Sequence, residues 1–233
     1  MLNLRKIGVW GDSILKGVIL DEVRGSYQLL AKGCVQLVEQ KLGIPIVNKS
    51  KFGSTIGKGC QLLEKSLASG LDCDVVLLEY GGNDCDFDWP AVSANPEQTH
   101  QPNTPLPLFL KTYQQMIDML RSHGIRPLLM NLPPISGERY LEFITSHGPD
   151  RDQLLRFLGD PHQIYRYHEL YSLSITRLAL QNNIPCVPVR EAFLSRTHSL
   201  ELMCLDGIHP NEKGHQLMQQ VISEWGQGLL AAT

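Results

Sequence analysis

The sequence predicts an α/β protein in which a parallel sheet is covered by helices on both faces. Short apolar runs alternate along the chain with segments whose apolar residues recur at helical spacing. The run 74–80 is apolar enough to be buried on both faces, as central parallel strands are. The chain has 233 residues, of which 42% are hydrophobic. That length supports the core of one such domain, spanning 1–233, and is short for two.

The predicted elements of the first half show this alternation of strands and helices. The apolar run 7–10 predicts the first strand. The segment 26–42 predicts a helix, because a serine suited to N-capping stands at its start and a glycine follows its end. The short run 44–47 predicts the second strand. A helix from about 57 to 67 then leads to the third strand at 74–80.

The second half continues in the same way. Apolar residues at helical spacing predict a helix over 109–120, and the run 127–132 predicts the fourth strand. A helix over 164–178 precedes a fifth strand at 184–189, whose two prolines suit an edge position. The apolar stripe of 217–225 predicts the last helix.

Two stretches interrupt the alternation of strands and helices, at about 85–107 and 133–163. The first is polar and contains five prolines, and the second is mixed in composition. Ligands of such sheets bind outside the carboxyl ends of the strands, and long insertions there are usually functional loops or lids. We therefore expect both stretches to be loop insertions at the binding edge.

Composition excludes several classes of function. The net charge of −3 leaves no basic excess for binding nucleic acid. No apolar run approaches the 18 residues of a membrane span, and the N-terminal segment lacks the long apolar core of a secretory leader. The six cysteines are not grouped as a disulfide framework or a zinc ribbon would require, so we expect most to be reduced and buried. These features predict a cytoplasmic protein.

The turn after the first strand carries a candidate nucleophile. In Gly11-Asp12-Ser13 the glycine permits a tight turn, and a serine at a strand-to-helix turn can present its hydroxyl at the edge of the sheet. The alternative is that Ser13 only caps a short helix.

The turns after the second and third strands offer candidate oxyanion donors. Gly53 lets a backbone N–H approach a ligand without an intervening side chain. The segment Gly81-Gly82-Asn83-Asp84 adds the uncharged amide of Asn83, which can stabilise an oxyanion without titrating. Each turn, taken alone, is also typical of an ordinary glycine turn.

Late in the chain, Asp206 and His209 stand three residues apart before a proline. This spacing can place the carboxylate against Nδ1 of the imidazole, so that Nε2 faces a serine as a base. Two alternatives remain: a surface loop before a helix, and a pair of metal ligands with no evident third partner.

These four blocks, in this order, resemble the SGNH hydrolases, also called the GDSL esterase/lipase family. The blocks are Gly11-Asp12-Ser13-Ile14, the 48–55 stretch around Gly53, Gly81-Gly82-Asn83-Asp84, and Asp206-Gly207-Ile208-His209-Pro210-Asn211. The resemblance implies a flavodoxin-like three-layer α/β/α sandwich with a central five-stranded parallel sheet.

The resemblance also implies roles for the site residues. Ser13 would be the nucleophile, His209 its base and Asp206 the partner that orients His209. The backbone N–H groups of Ser13 and Gly53 and the amide of Asn83 would form the oxyanion hole. The reaction would be acyl transfer through an acyl-serine, with no cofactor and no metal.

The substrate is the least constrained expectation. Asp12, Asp84 and Trp89 are candidate substrate-binding residues, and an aromatic flanked by carboxylates can stack on a sugar or shape an acyl pocket. The alternative is that Trp89 packs its loop onto the domain. Neither insertion has the long apolar face of an interfacial lid. The sequence therefore favours a small soluble short-acyl ester, for example an acetylated carbohydrate or a lysophospholipid-like ester.

Two other functions stay open at this point. One is a metal-dependent hydrolase that uses Asp206 and His209. The other is a non-catalytic binding module on the same fold. The expected partner is a small-molecule ester, and the sequence does not give the oligomeric state.

Overall fold

The computed structural model describes residues 4–231. Its strands are β1 (Ile7–Trp10), β2 (Val18–Asp21), β3 (Ser26–Leu29), β4 (Ile46–Asn48), β5 (Val75–Leu78), β6 (Arg126–Met130) and β7 (Cys186–Val187). Five of them form a parallel sheet in the order β4-β1-β5-β6-β7, which confirms the predicted fold class. The order reverses between β1 and β5, and in open α/β sheets ligands bind at such a reversal.

The helices follow the strands as βα connections require. They are α1 (Ser13–Lys16), α2 (Cys34–Leu42), α3 (Ile56–Ala68), α4 (Trp89–Ala94), α5 (Leu106–Ser122), α6 (Gly137–Thr145), α7 (Arg151–Leu158), α8 (His162–Gln181), α9 (Val189–Leu194) and α10 (Glu212–Ala231). None of the helices in the described part of the chain is long and apolar enough to cross a membrane.

Two apolar cores lie on opposite faces of the sheet. One joins α3, α5 and α8 to side chains such as Val76 and Leu129, and the other joins α2, α9 and α10 to side chains such as Leu77 and Met130. Successive residues of β5 thus point into different cores, as the period of two in a strand requires. This explains why β5 is apolar at every position and buried throughout.

The prediction of a helix over 26–42 was wrong in its first part. Residues Ser26–Leu29 form β3, which pairs antiparallel with β2 outside the main sheet, and the helix begins only at Cys34. Pairing with Val18–Asp21 supplies the backbone hydrogen bonds of this segment, so local helical spacing did not decide its structure. The predicted fifth strand is likewise shorter, because Val189–Leu194 turns into α9.

The two insertions contain secondary structure of their own. The first includes α4, and the second includes α6 and α7. Their apolar residues form a third core that contains Phe87, Trp89 and Leu141, and α4 packs against α7. The stretches predicted as loops therefore form a small helical layer over the carboxyl edge of the sheet.

Candidate active site

Ser13 lies where β1 meets α1. The chain leaves Trp10 through Gly11, and the Asp12 carboxylate accepts a hydrogen bond from the backbone N–H of Ile14 at 2.9 Å, which caps the short helix. A side chain at Gly11 would place its Cβ 2.9 Å from Oε2 of Glu79. Glycine therefore lets this turn pack closely against Glu79, and the turn brings the Ser13 hydroxyl to the carboxyl edge.

Asp206, His209 and Ser13 form a continuous hydrogen-bonded chain. Oδ2 of Asp206 is 2.6 Å from Nδ1 of His209, and Nε2 of His209 is 2.9 Å from Oγ of Ser13. The other carboxylate oxygen, Oδ1, accepts the backbone N–H groups of Ile208 and His209, each at 3.1 Å. The carboxylate is thus fixed by its own turn and can hold the imidazole in one orientation.

The charge on Asp206 suits this arrangement. Burial alone would raise the pKa of Asp206, but the hydrogen bond and charge of His209, with the two backbone N–H donors, hold that pKa below its ordinary value. Asp206 is therefore ionised at neutral pH and accepts a hydrogen bond from the Nδ1–H of His209. The remaining nitrogen, Nε2, is then free to take a proton from Ser13.

The β2–β3 hairpin, which the sequence analysis missed, covers His209. The ring of Tyr27 meets the imidazole edge-on at a centroid distance of 5.0 Å, and Phe52 lies parallel to it at 6.3 Å. Burial and the nearby Asp206 carboxylate raise the pKa of Tyr27, which keeps its hydroxyl protonated. The available signal was the pair of four-residue runs, 18–21 and 26–29, separated by a short polar turn that ends in glycine.

The candidate oxyanion donors face the same cavity as Ser13 and His209. Gly53 has φ of +63°, a conformation that favours glycine, and lines the cavity. Asn83 lines it as well, and its Nδ2 donates to Oδ2 of Asp12 at 3.0 Å. The same nitrogen lies 3.4 Å from the carbonyl oxygen of Ser54. This second bond is long and therefore weak, so a ligand oxygen can replace it as the acceptor of the second N–H.

The three candidate substrate-binding residues differ in position. Asp12 lines the cavity but is buried, and its carboxylate is occupied by hydrogen bonds from Asn83 and Ile14. Asp84 is fully buried and is not among the cavity-lining residues; its carboxylate accepts the backbone N–H of Ile56 at the start of α3. Trp89 lines the cavity and also belongs to the third core, so it both packs the insertion and shapes the site.

The cavity has a volume of about 140 Å³ and extends from Ser13 beneath the inserted helices. Its far wall is mostly apolar and aromatic, with a few polar groups that sequence reasoning missed. The lining residues of that wall are Asp86, Phe87, Trp89, Leu132, Pro133, Ile135, Tyr140, Ile164, Tyr167 and His168. Asp86 binds its neighbours, accepting from Tyr140 Oη at 2.6 Å and from Trp89 Nε1 at 2.7 Å.

Within the described residues, no group of three or more His, Cys, Asp or Glu side chains is arranged to hold a metal ion. All six cysteines are free, and five of them are buried, as the sequence analysis expected.

Comparison with known proteins finds one matching family model and similar esterases. A family model described as the GDSL-like lipase/acylhydrolase family matches residues 9–217. An isoamyl acetate-hydrolyzing esterase of Saccharomyces cerevisiae is 20% identical over 221 residues, which cover 93% of this chain and 83% of the yeast protein.

Solved structures share the fold at low identity. A lipase/acylhydrolase from Enterococcus faecalis superposes with a TM-score of 0.66 at 19% identity and covers 96% of both chains. A variant of an acetyl-xylooligosaccharide esterase from Geobacillus has a TM-score of 0.63 at 21% identity, covering 94% of this chain and 93% of that one.

Proposed function

This chain belongs to the GDSL-like lipase/acylhydrolase family and hydrolyses ester bonds, and we propose that it does so through an acyl-serine formed on Ser13. The observation that carries the proposal is the chain of hydrogen bonds from Asp206 through His209 to Ser13, with distances of 2.6 Å and 2.9 Å. A serine hydroxyl is a weak nucleophile unless a base within hydrogen-bond reach removes its proton. His209 supplies that base, and Asp206 fixes its tautomer.

The first half of the reaction acylates the enzyme. Oγ of Ser13 attacks the ester carbonyl carbon while Nε2 of His209 takes the hydroxyl proton. The carbonyl oxygen becomes an oxyanion, which the backbone N–H groups of Ser13 and Gly53 and the amide of Asn83 stabilise. His209 then gives its proton to the alcohol oxygen, the carbon–oxygen bond breaks, and the alcohol leaves.

The second half restores the enzyme. His209 takes a proton from a water molecule, whose oxygen attacks the acyl carbon of the acyl-serine. The same donors stabilise the second oxyanion. The bond to Oγ then breaks, His209 returns its proton to Ser13, and the carboxylic acid leaves.

We propose a small soluble ester with a short acyl group as the substrate. A cavity of about 140 Å³ is close in size to an engineered cavity that accommodates benzene, on the order of 150 Å³. That space suits an acyl group of a few carbons. The yeast relative is named for an acetate ester and the Geobacillus protein for acetylated xylooligosaccharides, and both names agree with a short acyl group.

Covalent labelling tests the nucleophile. The unmodified protein, the Ser13→Ala variant and the control variant Ser50→Ala are each treated with a fluorophosphonate probe, and their intact masses are measured. Ser50 is a second buried serine, whose Oγ forms no hydrogen bond within the described residues. We expect one adduct on the unmodified protein and on Ser50→Ala, and none on Ser13→Ala. An adduct that persists in a folded Ser13→Ala variant contradicts the proposal.

The metal-dependent alternative predicts a different result. Ester turnover through Asp206, His209 and a metal ion would be lost in excess EDTA and restored by a divalent cation. The serine mechanism predicts unchanged turnover in EDTA.

The cytoplasmic location stays a prediction, which the free cysteines support because disulfides are rare in reducing compartments.

A further inference from the structure

Behind the oxyanion site lies a buried cluster of carboxyl groups: Asp12, Glu79 and Asp84. Asp12 is 1% exposed, and Glu79 and Asp84 are 0% exposed. No lysine or arginine within residues 4–231 forms an ion pair with any of the three. Several buried negative charges without a cation are costly, so the cluster must hold at least one proton at neutral pH.

The position of Glu79 identifies it as the group that holds the proton. It follows β5 directly and packs under the Gly11 turn, where its Oε2 is 3.5 Å from the backbone nitrogen of Asp12. Its other oxygen, Oε1, is buried and accepts no hydrogen bond within the described residues. An unpartnered buried oxygen costs much less on a neutral carboxyl group than on a carboxylate.

Asp12 is better suited to carry the negative charge. It accepts hydrogen bonds from the backbone N–H of Ile14 at 2.9 Å and from the Asn83 amide at 3.0 Å. A protonated Glu79 can donate a further hydrogen bond to this carboxylate, since the two carboxyl groups are neighbours. Burial raises the pKa of Asp12 to about 6, which leaves it ionised at pH 7, whereas burial and the charge of Asp12 raise the pKa of Glu79 well above its ordinary value.

The remaining groups around Glu79 do not change this assignment. Burial raises the pKa values of the neighbouring thiol and phenols, which are therefore neutral at pH 7: Cys34 on α2, Tyr80 after β5 and Tyr113 on α5. Burial also raises the pKa of Asp84, to about 7, and its carboxyl group is held by the N-terminus of α3.

We propose that Glu79 is a positioning residue that stays protonated and donates a hydrogen bond to Asp12, so that Asp12 in turn orients the amide of Asn83 toward the oxyanion. A carboxylate can only accept, so Asp12 binds the nitrogen end of Asn83 and prevents the amide from flipping. One N–H of Asn83 is held by Asp12 at 3.0 Å, and the second makes only a 3.4 Å contact with the carbonyl oxygen of Ser54, which an oxyanion can replace.

This inference rests on the proposed function, and two variants of one residue test it. Glu79→Gln keeps an uncharged donor that cannot ionise, and Glu79→Leu has a similar size but no donor. We expect Glu79→Gln to retain most of the turnover at pH 7. We expect Glu79→Leu to lose about 10- to 100-fold in kcat, the effect of one positioned hydrogen bond, with little change in KM.

The pH profile separates positioning from a merely structural role. In the unmodified protein, kcat falls at alkaline pH as Glu79 loses its proton and its donor function. In Glu79→Gln this alkaline fall is absent, because the amide does not titrate. The comparison needs only Glu79→Gln and so remains decisive if Glu79→Leu does not fold, which a thermal melt reports.

The outcomes are distinct. If Glu79→Gln shows the same alkaline fall as the unmodified protein, or if a folded Glu79→Leu keeps its full kcat, the positioning role is wrong while Ser13 labelling stands. If the unmodified protein shows no labelling that depends on Ser13, the proposed function fails, and this inference fails with it.

Discussion

Replacing Asp206 with asparagine tests the core of the proposed mechanism with a change of one atom. Oδ1 of Asp206 accepts two backbone N–H groups, each at 3.1 Å, from its own turn. An asparagine keeps both bonds only if its oxygen takes this place. Its nitrogen then replaces Oδ2, which lies 2.6 Å from Nδ1 of His209. The amide donates there, so Nδ1 must become the acceptor.

This exchange reverses the tautomer of His209. With Nδ1 accepting, the proton of the neutral imidazole sits on Nε2, which lies 2.9 Å from Oγ of Ser13. Nε2 then donates to the serine and cannot take its proton. In a well-studied protease with the same three residue types, this substitution lowers kcat by about 10⁴-fold. A loss of that size corresponds to about 5 kcal/mol of transition-state stabilisation.

The assay is steady-state hydrolysis of p-nitrophenyl acetate by Asp206→Asn and the unmodified protein, with thermal melts to show that both are folded. We expect kcat to fall by about 10³- to 10⁴-fold, with KM nearly unchanged. Asp206→Glu serves as the control for charge, since it keeps an acceptor for Nδ1. A folded Asp206→Asn variant with kcat within tenfold of the unmodified protein would refute the tautomer argument.

Three further predictions concern the oxyanion site, the cavity and the buried acids. Asn83→Ala should lower kcat by about 10²- to 10³-fold with little change in KM, and a variant that only raises KM contradicts an oxyanion role. In a series of p-nitrophenyl esters, kcat/KM should rise by about fourfold per added methylene up to about four carbons and then fall; a maximum at long chains contradicts the short-acyl assignment. Burial raises the pKa of Asp84 from 3.8 to about 7 in the folded protein. The protonated Asp84 therefore stabilises the fold fully below its pKa in the unfolded chain, and this stabilisation is lost as the pH rises through about 7. The Asp84→Asn variant has no titrating group at this position. The difference between its free energy of unfolding and that of the unmodified protein, measured by denaturant titration, should therefore increase from pH 4 to pH 8. A difference that stays constant contradicts the raised pKa of Asp84.

The sheet and its main helices were predictable because their signals are local and repeated. Strand β5 is apolar at every position and α5 has apolar residues at helical spacing, so burial and periodicity agree in both. The β2–β3 hairpin was missed because all four residues of β3 are exposed and half-exposed positions alternate along β2. Strand β3 has no buried position, so its structure depends on pairing with β2 rather than on a core.

The candidate site was predictable in its residues but not in its surroundings. The Gly11 turn and the turn containing Asp206 and His209 are short motifs whose chemistry can be read from consecutive residues. Glu79 contacts the first of these turns and Tyr27 contacts His209, each from another element of the fold, so only tertiary structure reveals these contacts. The same holds for the third core, in which separate insertions bury each other's apolar side chains.

The hydrogen bond between Ser13 and His209 joins residues 196 positions apart, and α10, the helix that follows His209, packs on α2. Under the proposed mechanism, a ribosome therefore synthesises every residue between the two before the serine acquires its base. The incomplete chain carries an ordinary hydroxyl, so an ester-like electrophile can modify only molecules that have finished folding. In a refolding experiment, the fraction of chains that react with a fluorophosphonate at each time point would count native molecules directly. Its rate would report closure of this long-range contact, the slowest kind of contact to form in a single domain.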